Sequence, residues 1–305
     1  MRNFLNNFVR RLISIVLTQE LGNSIYASLF KFKNKHIRFT RLIYGTANDE
    51  EIFNNILREH DGKYEIWMIH SSFNDMIPMY IGKLSNLLSM MISYCTQNNI
   101  TLTMPAFFGG SILENKEYYE NGKHIFDVNK TESGVGLITE LFRRTPNVKR
   151  SIHPTHSVCA LGPLADKLTG NHHLADTTFG EGTPFVEMTK YKTMILGLGT
   201  DAFGAGTQVH SAEDILKNDY PISLHSDIIP VKCLDKSGNI VLYNLRIRDR
   251  KYVYDEKTIY KILGNISKKW TYKGIPFFQT QADVVTETLI EAARAGETIY
   301  KEIKY

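Results

Sequence analysis

The stretch GTQVHSAED, residues 206–214, sets Thr207, His210 and Glu213 three residues apart. On a helical turn such side chains share one face. Their types suit proton transfer: an imidazole that titrates near about 6.5 when unperturbed, a hydroxyl that donates a hydrogen bond, and a carboxylate that orients the ring. The turn follows MILGLG, an apolar run ending in glycines, which reads as a strand entering a loop. A histidine beside a glutamate is most often a surface ion pair, so the meaning of the trio rests on the elements that position it.

Two other patterns need sorting first. GLGTDA, residues 197–202, satisfies GxGxxG/A after a strand, but the following residues pass through HSAEDILKND to Pro221 with no second strand, so a dinucleotide site is not supported. RSIHPTHSVCALGP, residues 150–163, groups Arg150, Ser151, His153, His156 and Ser157 in an extended segment expected to enter a helix at about Ala160. Two histidines three apart with no third ligand make a poor zinc site, and no metal is expected. The serine and cysteine here lack the strand-turn-helix elbow of a nucleophile, and the hydroxyls suit an anionic ligand better.

The surrounding chain reads as alternating strands and helices. KYEIWMIH (63–70), ITLTMPAF (100–107) and YKTMILGLG (191–199) are strand signals, while NDMIPMYIGKLSNLLSMMISYC and GLITELFRR have helical periodicity. Connections of crossover length favour an α/β fold: a mixed sheet with parallel pairs, covered by helices on both faces. IIPVKCLDKSGNIVLYNLRI is a hairpin signal in a C-terminal subregion at about 220–255, and QADVVTETLIEAARAGETIYKEI reads as one long helix broken only by Gly296. No linker divides residues 46–305, which are expected to form one integrated domain.

Charge is unevenly spread. The net +4 of the 305-residue chain is too mild to argue for nucleic acid, but residues 1–45 hold eight basic groups against the single acid Glu20. FLNNFVRRLISIVL fits an amphipathic helix, with apolar runs far short of the ~20 residues of a membrane span. It is expected to pack on the domain or on a second subunit of a homodimer, or to make peripheral membrane contact through residues 1–20. Cys95, Cys159 and Cys233 are odd in number and outside any CxxC pattern, which points to a reducing, cytoplasmic compartment.

Several strings carry a resemblance in order along the chain: HSSF (70–73), MP (104–105), FDVNKTESGVGLITELFRRTPNVKRSIHPTHSVCALGP, FGEGTPF (179–185) and TQVHSAE. Together they resemble the aminoglycoside 3-N-acetyltransferase family, whose chemistry is transfer of acetyl from acetyl-CoA to an amine of an aminosugar. The resemblance implies His210 as general base, the Thr207 hydroxyl as donor to the thioester oxygen, and Glu213 as a carboxylate that orients the imidazolium or binds the substrate ammonium. It also places CoA contacts at Ser71, Ser72, Arg150, Ser151 and His153. Glu181, Asp201 and Asp214 are expected to supply an acidic pocket for a cationic acceptor, since a net positive protein repels one at long range. TESGVG, the TP of FGEGTP and the extra residues of DAFGAGT depart from the family pattern beside this pocket. The acceptor therefore stays open between an aminoglycoside and an amino sugar on a nucleotide or lipid carrier in surface-glycan synthesis, with a non-catalytic CoA- or sugar-binding protein as the third class.

Overall fold

A computed structural model describes residues 35–60, 63–108, 116–120, 124–249 and 251–303. The membrane contact expected at residues 1–20 lies outside them. Among the described residues no helix is long and apolar enough to cross a membrane.

The centre of the molecule is the strand Ile66–Ser71 (β1), whose IWMI run is buried on both faces. Strand Thr101–Pro105 (β2) lies parallel to it on one flank, with Ile66 opposite Thr101. On the other flank runs Thr193–Leu198 (β6), also parallel, with Ile66 opposite Thr193. Parallel neighbours require crossovers that cover the sheet, and alternation along β1 divides the core accordingly. Trp67 and Ile69 pack with the helices Asp49–Glu59, Leu84–Gln97 and Leu137–Arg143. Ile66 and Met68 pack with Ala165–Thr169, Pro184–Thr189 and the start of Ala282–Arg294.

Antiparallel strands complete a seven-stranded mixed sheet. Val158–Leu161 (β5) pairs with β2 and with Lys149–Arg150 (β4); Ile275–Gln281 (β11) pairs with β6 and with Lys268–Tyr272 (β10). The spatial order is β10-β11-β6-β1-β2-β5-β4. The chain leaves β1 toward β2 and returns as β6 on the opposite flank, so the carboxyl ends of β1 and β6 form a topological switch point, where α/β sheets take ligands.

Two expectations about local structure are corrected. The segment around Ala160 is strand β5 and not a helix, because SVCAL is β-prone and its backbone is claimed by β2, with Pro105 opposite Val158. The C-terminal helix stops at Arg294; Ala295 and Gly296 turn the chain, and Tyr300–Glu302 (β12) pairs antiparallel with Tyr252–Tyr254 (β9). The hairpin expected around DKSGN is present as His225–Leu234 (β7) and Ile240–Arg248 (β8). Its third strand comes from far upstream, Ile125–Asp127 (β3), parallel to β7.

Gly197 in β6 sits opposite Phe278 of β11, and a Cβ at Gly197 would come within 2.1 Å of the Phe278 ring. The ring covers the bare backbone of the strand and is itself fully buried. Phe278→Ala is expected to lower unfolding free energy by ~3–5 kcal/mol, measured by urea denaturation; a loss below ~1 kcal/mol would show that the ring is not needed there.

Candidate active site

After β6 the backbone folds tightly. Gly206 opens a short 3-10 turn, Gly206–His210, that leads into the helix Ser211–Leu216. Its φ of +56 is left-handed, and a Cβ would lie 2.4 Å from the imidazole of His70 near the end of β1. The close approach lets the Thr207 N–H face Nε2 of His70 at 3.4 Å. The turn is thereby tied to the switch point, and the three-residue spacing brings His210 Nδ1 within 3.3 Å of Glu213 Oε1.

Three side chains from later strands close around this pair. Arg248, the last residue of β8, donates through Nη2 to Glu213 Oε1 at 2.9 Å and lies 3.2 Å from His210 Nδ1. Tyr300 of β12 donates to Glu213 Oε2 at 2.5 Å and lies 3.0 Å from His210 Nδ1. Tyr254 of β9 lies 2.8 Å from His210 Nε2. Tyr254 and Tyr300 are register partners across the β9–β12 pair, with stacked rings 5.5 Å apart, and Phe179 packs on the His210 ring at 4.7 Å.

Both donors and acceptors face the Nδ1 of His210. Tyr300 has one proton, and the charge-assisted bond to Glu213 takes it. Toward His210 its oxygen can therefore only accept, which calls for a hydrogen on Nδ1, while Arg248 Nη2, a donor only, faces the same nitrogen at 3.2 Å and calls for a lone pair. Tyr254 meets Nε2 as donor or acceptor according to which ring nitrogen is protonated.

Burial alone pushes the Glu213 carboxyl up, but Arg248, His210 and the Tyr300 bond outweigh it and hold it below the usual carboxylate range. Arg248 loses by burial and gains more from Glu213 and the two phenols, ending well above its ordinary value. Tyr300 is raised by burial and by the Glu213 charge, which keeps it a neutral donor. The ring of His210 thus sits beside an ion pair of zero net charge.

Other expected site residues are dispersed. Ser71 ends β1; its Oγ is out of contact with solvent and has no hydrogen-bond partner among the described residues. Ser72 is half-buried and donates from Oγ to Asp75 Oδ2 at 2.7 Å. Three residues expected to contact the cofactor have side-chain polar atoms engaged inside the fold. Arg150 is buried, its Nε on Ser157 Oγ, Nη1 on the Thr131 carbonyl and Nη2 on the Ala106 carbonyl. Ser151 bonds His172 Nδ1 and accepts from the Val158 N–H. His153 accepts from the backbone of Thr155 and His156 and meets Tyr243 through Nε2 at 3.0 Å. Their polar atoms are consumed in holding the loop before β5. Of the acids expected to form a pocket, Asp214 is buried, receives the Phe179 N–H at 2.7 Å and is pushed up to about 7 by burial and by Glu213. Glu181 is exposed and Asp201 half-buried.

A family model for aminoglycoside 3-N-acetyltransferase matches residues 68–258, well over half of the chain. The chain belongs to this family. The prophage-derived aminoglycoside N(3')-acetyltransferase-like protein YokD of Bacillus subtilis is 40% identical over 83 residues, 27% of this chain and 30% of the relative. Aminoglycoside N(3)-acetyltransferase III of Serratia marcescens is 37% identical over 87 residues, 28% and 31% of the two chains. These alignments span under a third of the relatives' length. A solved structure of AAC-IIIb, described as binary with CoASH, is similar over 81% of this chain and 96% of that one, with a TM-score of 0.60 and 16% identity. At that identity the likeness shows the fold.

Within this acetyltransferase-family site, Arg248, Tyr254, Tyr300 and His70 are the residues that reading the sequence does not single out. Arg248 had one local signal, a cation alternating with Leu245 and Ile247 on a strand whose alternate positions are buried. Tyr300 had none, since it falls in what reads as a helix.

Four histidines stand neutral beneath the site. Burial pulls His70 to about 4 and His172 to about 3. His153 and His156 are held well below the ordinary value, first by burial and then by neighbouring histidines. Because each folded value lies under the unfolded one of about 6.5, the unfolded chain binds more protons below that pH, and stability falls as pH drops from about 6.5 toward each folded value. The slope is ~1.4 kcal/mol per pH unit for each histidine still neutral. Urea midpoints should be clearly lower at about pH 5.5 than at about pH 7.5; equal midpoints would contradict the assignment.

Proposed function

We propose that the protein is an acetyl-CoA-dependent N-acetyltransferase that modifies an amino group of an aminoglycoside or related aminosugar. The observation that carries this reading is the pairing of His210 Nδ1 with the buried Glu213 carboxylate at 3.3 Å, which leaves Nε2 as the ring nitrogen on the side away from Glu213. An amine attacking a thioester loses a proton as the N–C bond forms and the C–S bond breaks, and imidazole is a base suited to neutral pH. Glu213 stabilises the imidazolium that results, while Arg248 and Tyr300 keep that carboxylate ionised and aimed.

Acetyl-CoA fits the switch point on one feature of this chain. The Ser71 hydroxyl is removed from solvent without a protein partner, a group that calls for a ligand oxygen or nitrogen. We assign Ser71, with the adjoining Ser72, to the cofactor side and the Thr207 hydroxyl to the thioester oxygen, where negative charge grows during acyl transfer. Glu181 and Asp201 are the acids placed to draw a cationic acceptor, Glu181 being exposed and Asp201 half-buried.

The test is release of CoA thiol from acetyl-CoA across aminoglycosides and nucleotide-linked amino sugars; thiol release with none of them sinks the proposal. His210→Ala should cut kcat by ~100- to 10,000-fold with acetyl-CoA affinity within about twofold. A folded mutant losing less than tenfold would remove His210 from the role. Cys159 is fully buried in β5 and burial pushes its thiol up to about 12, so it is no nucleophile. Cys159→Ala should keep activity within about threefold, and mass spectrometry during turnover should find no acetylated enzyme.

A further inference from the structure

We propose that the helix Ile37–Tyr44 and the loop beside it form a docking surface for an anionic lipid bilayer. The inference stands apart from the acetyltransferase reading. A surface helix ordinarily turns its apolar stripe to the core, and this one is inverted. Its inward positions are Thr40, which is buried, Arg41, whose Nε donates to the Pro78 carbonyl at 2.8 Å, and Tyr44, whose ring lies so close to Gly274 that a Cβ there would come within 2.7 Å of it. With that face fixed, Phe39, Leu42 and Ile43 point outward at helical spacing, exposed by 54%, 81% and 38%. The loop held by Arg41 ends at Ile81, which donates its N–H to the Ala47 carbonyl and is 55% exposed. Exposed apolar side chains scattered singly are ordinary; four on two segments tied together form a patch.

Charge decides what covers it. Lys35 and Arg38 are exposed on the same helix and its approach, and Lys83 is exposed just after Ile81. Of the acids that follow, Asp49 receives the Tyr80 hydroxyl and the Lys83 N–H, Glu51 is paired with Lys273, and Glu50 is exposed. Upstream, residues 1–34 add Arg2, Arg10, Arg11, Lys31 and Lys33 against the single acid Glu20. A symmetric contact with a second copy would set this basic surface against itself, and residues 1–34 as the cover would bring further cations to it. An anionic bilayer answers both features: the apolar side chains enter the boundary between headgroups and acyl chains while the cations meet lipid phosphates.

The patch lies at the switch-point end of the sheet. Tyr44 rests on Gly274 in the turn between β10 and β11, and Pro276, two residues on, accepts from the N–H of Gly199 just after β6. A bilayer docked on the helix is therefore toward the end of the sheet that carries the Gly206–His210 turn.

The test is co-sedimentation of the full chain with vesicles of phosphatidylcholine containing about 30% phosphatidylglycerol and with vesicles of phosphatidylcholine alone. The wild type should bind the anionic vesicles ~tenfold or more tightly than the neutral ones, and raising salt from about 50 to about 500 mM should release most of it. Replacing both exposed side chains, Phe39→Ser with Leu42→Ser, should weaken anionic-vesicle binding by ~tenfold or more with an unchanged urea midpoint. Arg38→Glu, also at an exposed position, gives a second reading and should weaken it by about tenfold. Absence of binding to anionic vesicles overturns the proposal. So does binding by the folded variants that equals the wild type's, which would assign the attraction to cations elsewhere in the chain. A wild-type dimer that the double variant splits, with no vesicle binding, would make a second copy the occupant and overturns it. A double variant of lower urea midpoint, with no vesicle binding by the wild type, would mean that the chain's own residues cover the patch and overturns it as well. No arm of the test reads turnover, so the acetyltransferase reading stands or falls separately.

Discussion

The site depends on one buried ion pair, Glu213 with Arg248. Side-chain exposures of 2% and 13% put both charges where desolvation costs several kcal/mol each unless geometry and further hydrogen bonds offset it. The offset comes from Tyr300 on one carboxylate oxygen and Arg248 on the other. Those same groups reach the imidazole, Tyr300 Oη and Arg248 Nη2 lying 3.0 and 3.2 Å from His210 Nδ1, so the contacts that keep the carboxylate ionised also surround the ring.

This pair also explains why two small strand pairings hang on the large sheet. Glu213 and His210 come from the loop after β6, Arg248 from the end of the β7–β8 hairpin, and Tyr254 and Tyr300 from the β9–β12 ladder. Antiparallel register places Tyr254 and Tyr300 side by side without further adjustment. The site is complete only when the hairpin and the chain end have docked against the α/β body.

The central sheet supplies the fixed reference. His70, near the end of β1, is held against Gly206 so closely that only glycine fits, and this anchors the turn carrying Thr207 and His210. Below it, Arg150, Ser151, His153, His156 and His172 form a scaffold whose polar atoms bond one another and nearby backbone. Phe179 lies between His156 and His210, 5.0 and 4.7 Å from the two rings, and transmits that rigidity to the His210 ring. Neutral buried histidines are supports in this arrangement, a role that leaves the protein sensitive to acid.

Local pattern determined a good deal by itself. Apolar runs and alternation specified β1, β2, β6 and the DKSGN hairpin, helical periodicity specified Leu84–Gln97 and Leu137–Arg143, and the three-residue spacing in TQVHSAE put His210 next to Glu213. Each of these signals is carried by residues within one element, where backbone geometry alone decides which side chains meet. The strand at Ala160 and the strand after Gly296 were not legible, because pairing with distant backbone overrode local propensity. Nor could sequence show that Arg150, Ser151 and His153 are buried, since burial is decided by the packing of distant elements. The partners of His210 stand 38, 44 and 90 residues away. Only strand register and the packing of separate sheets bring a cation and two phenols to one imidazole, and nothing in the spacing along the chain encodes that meeting.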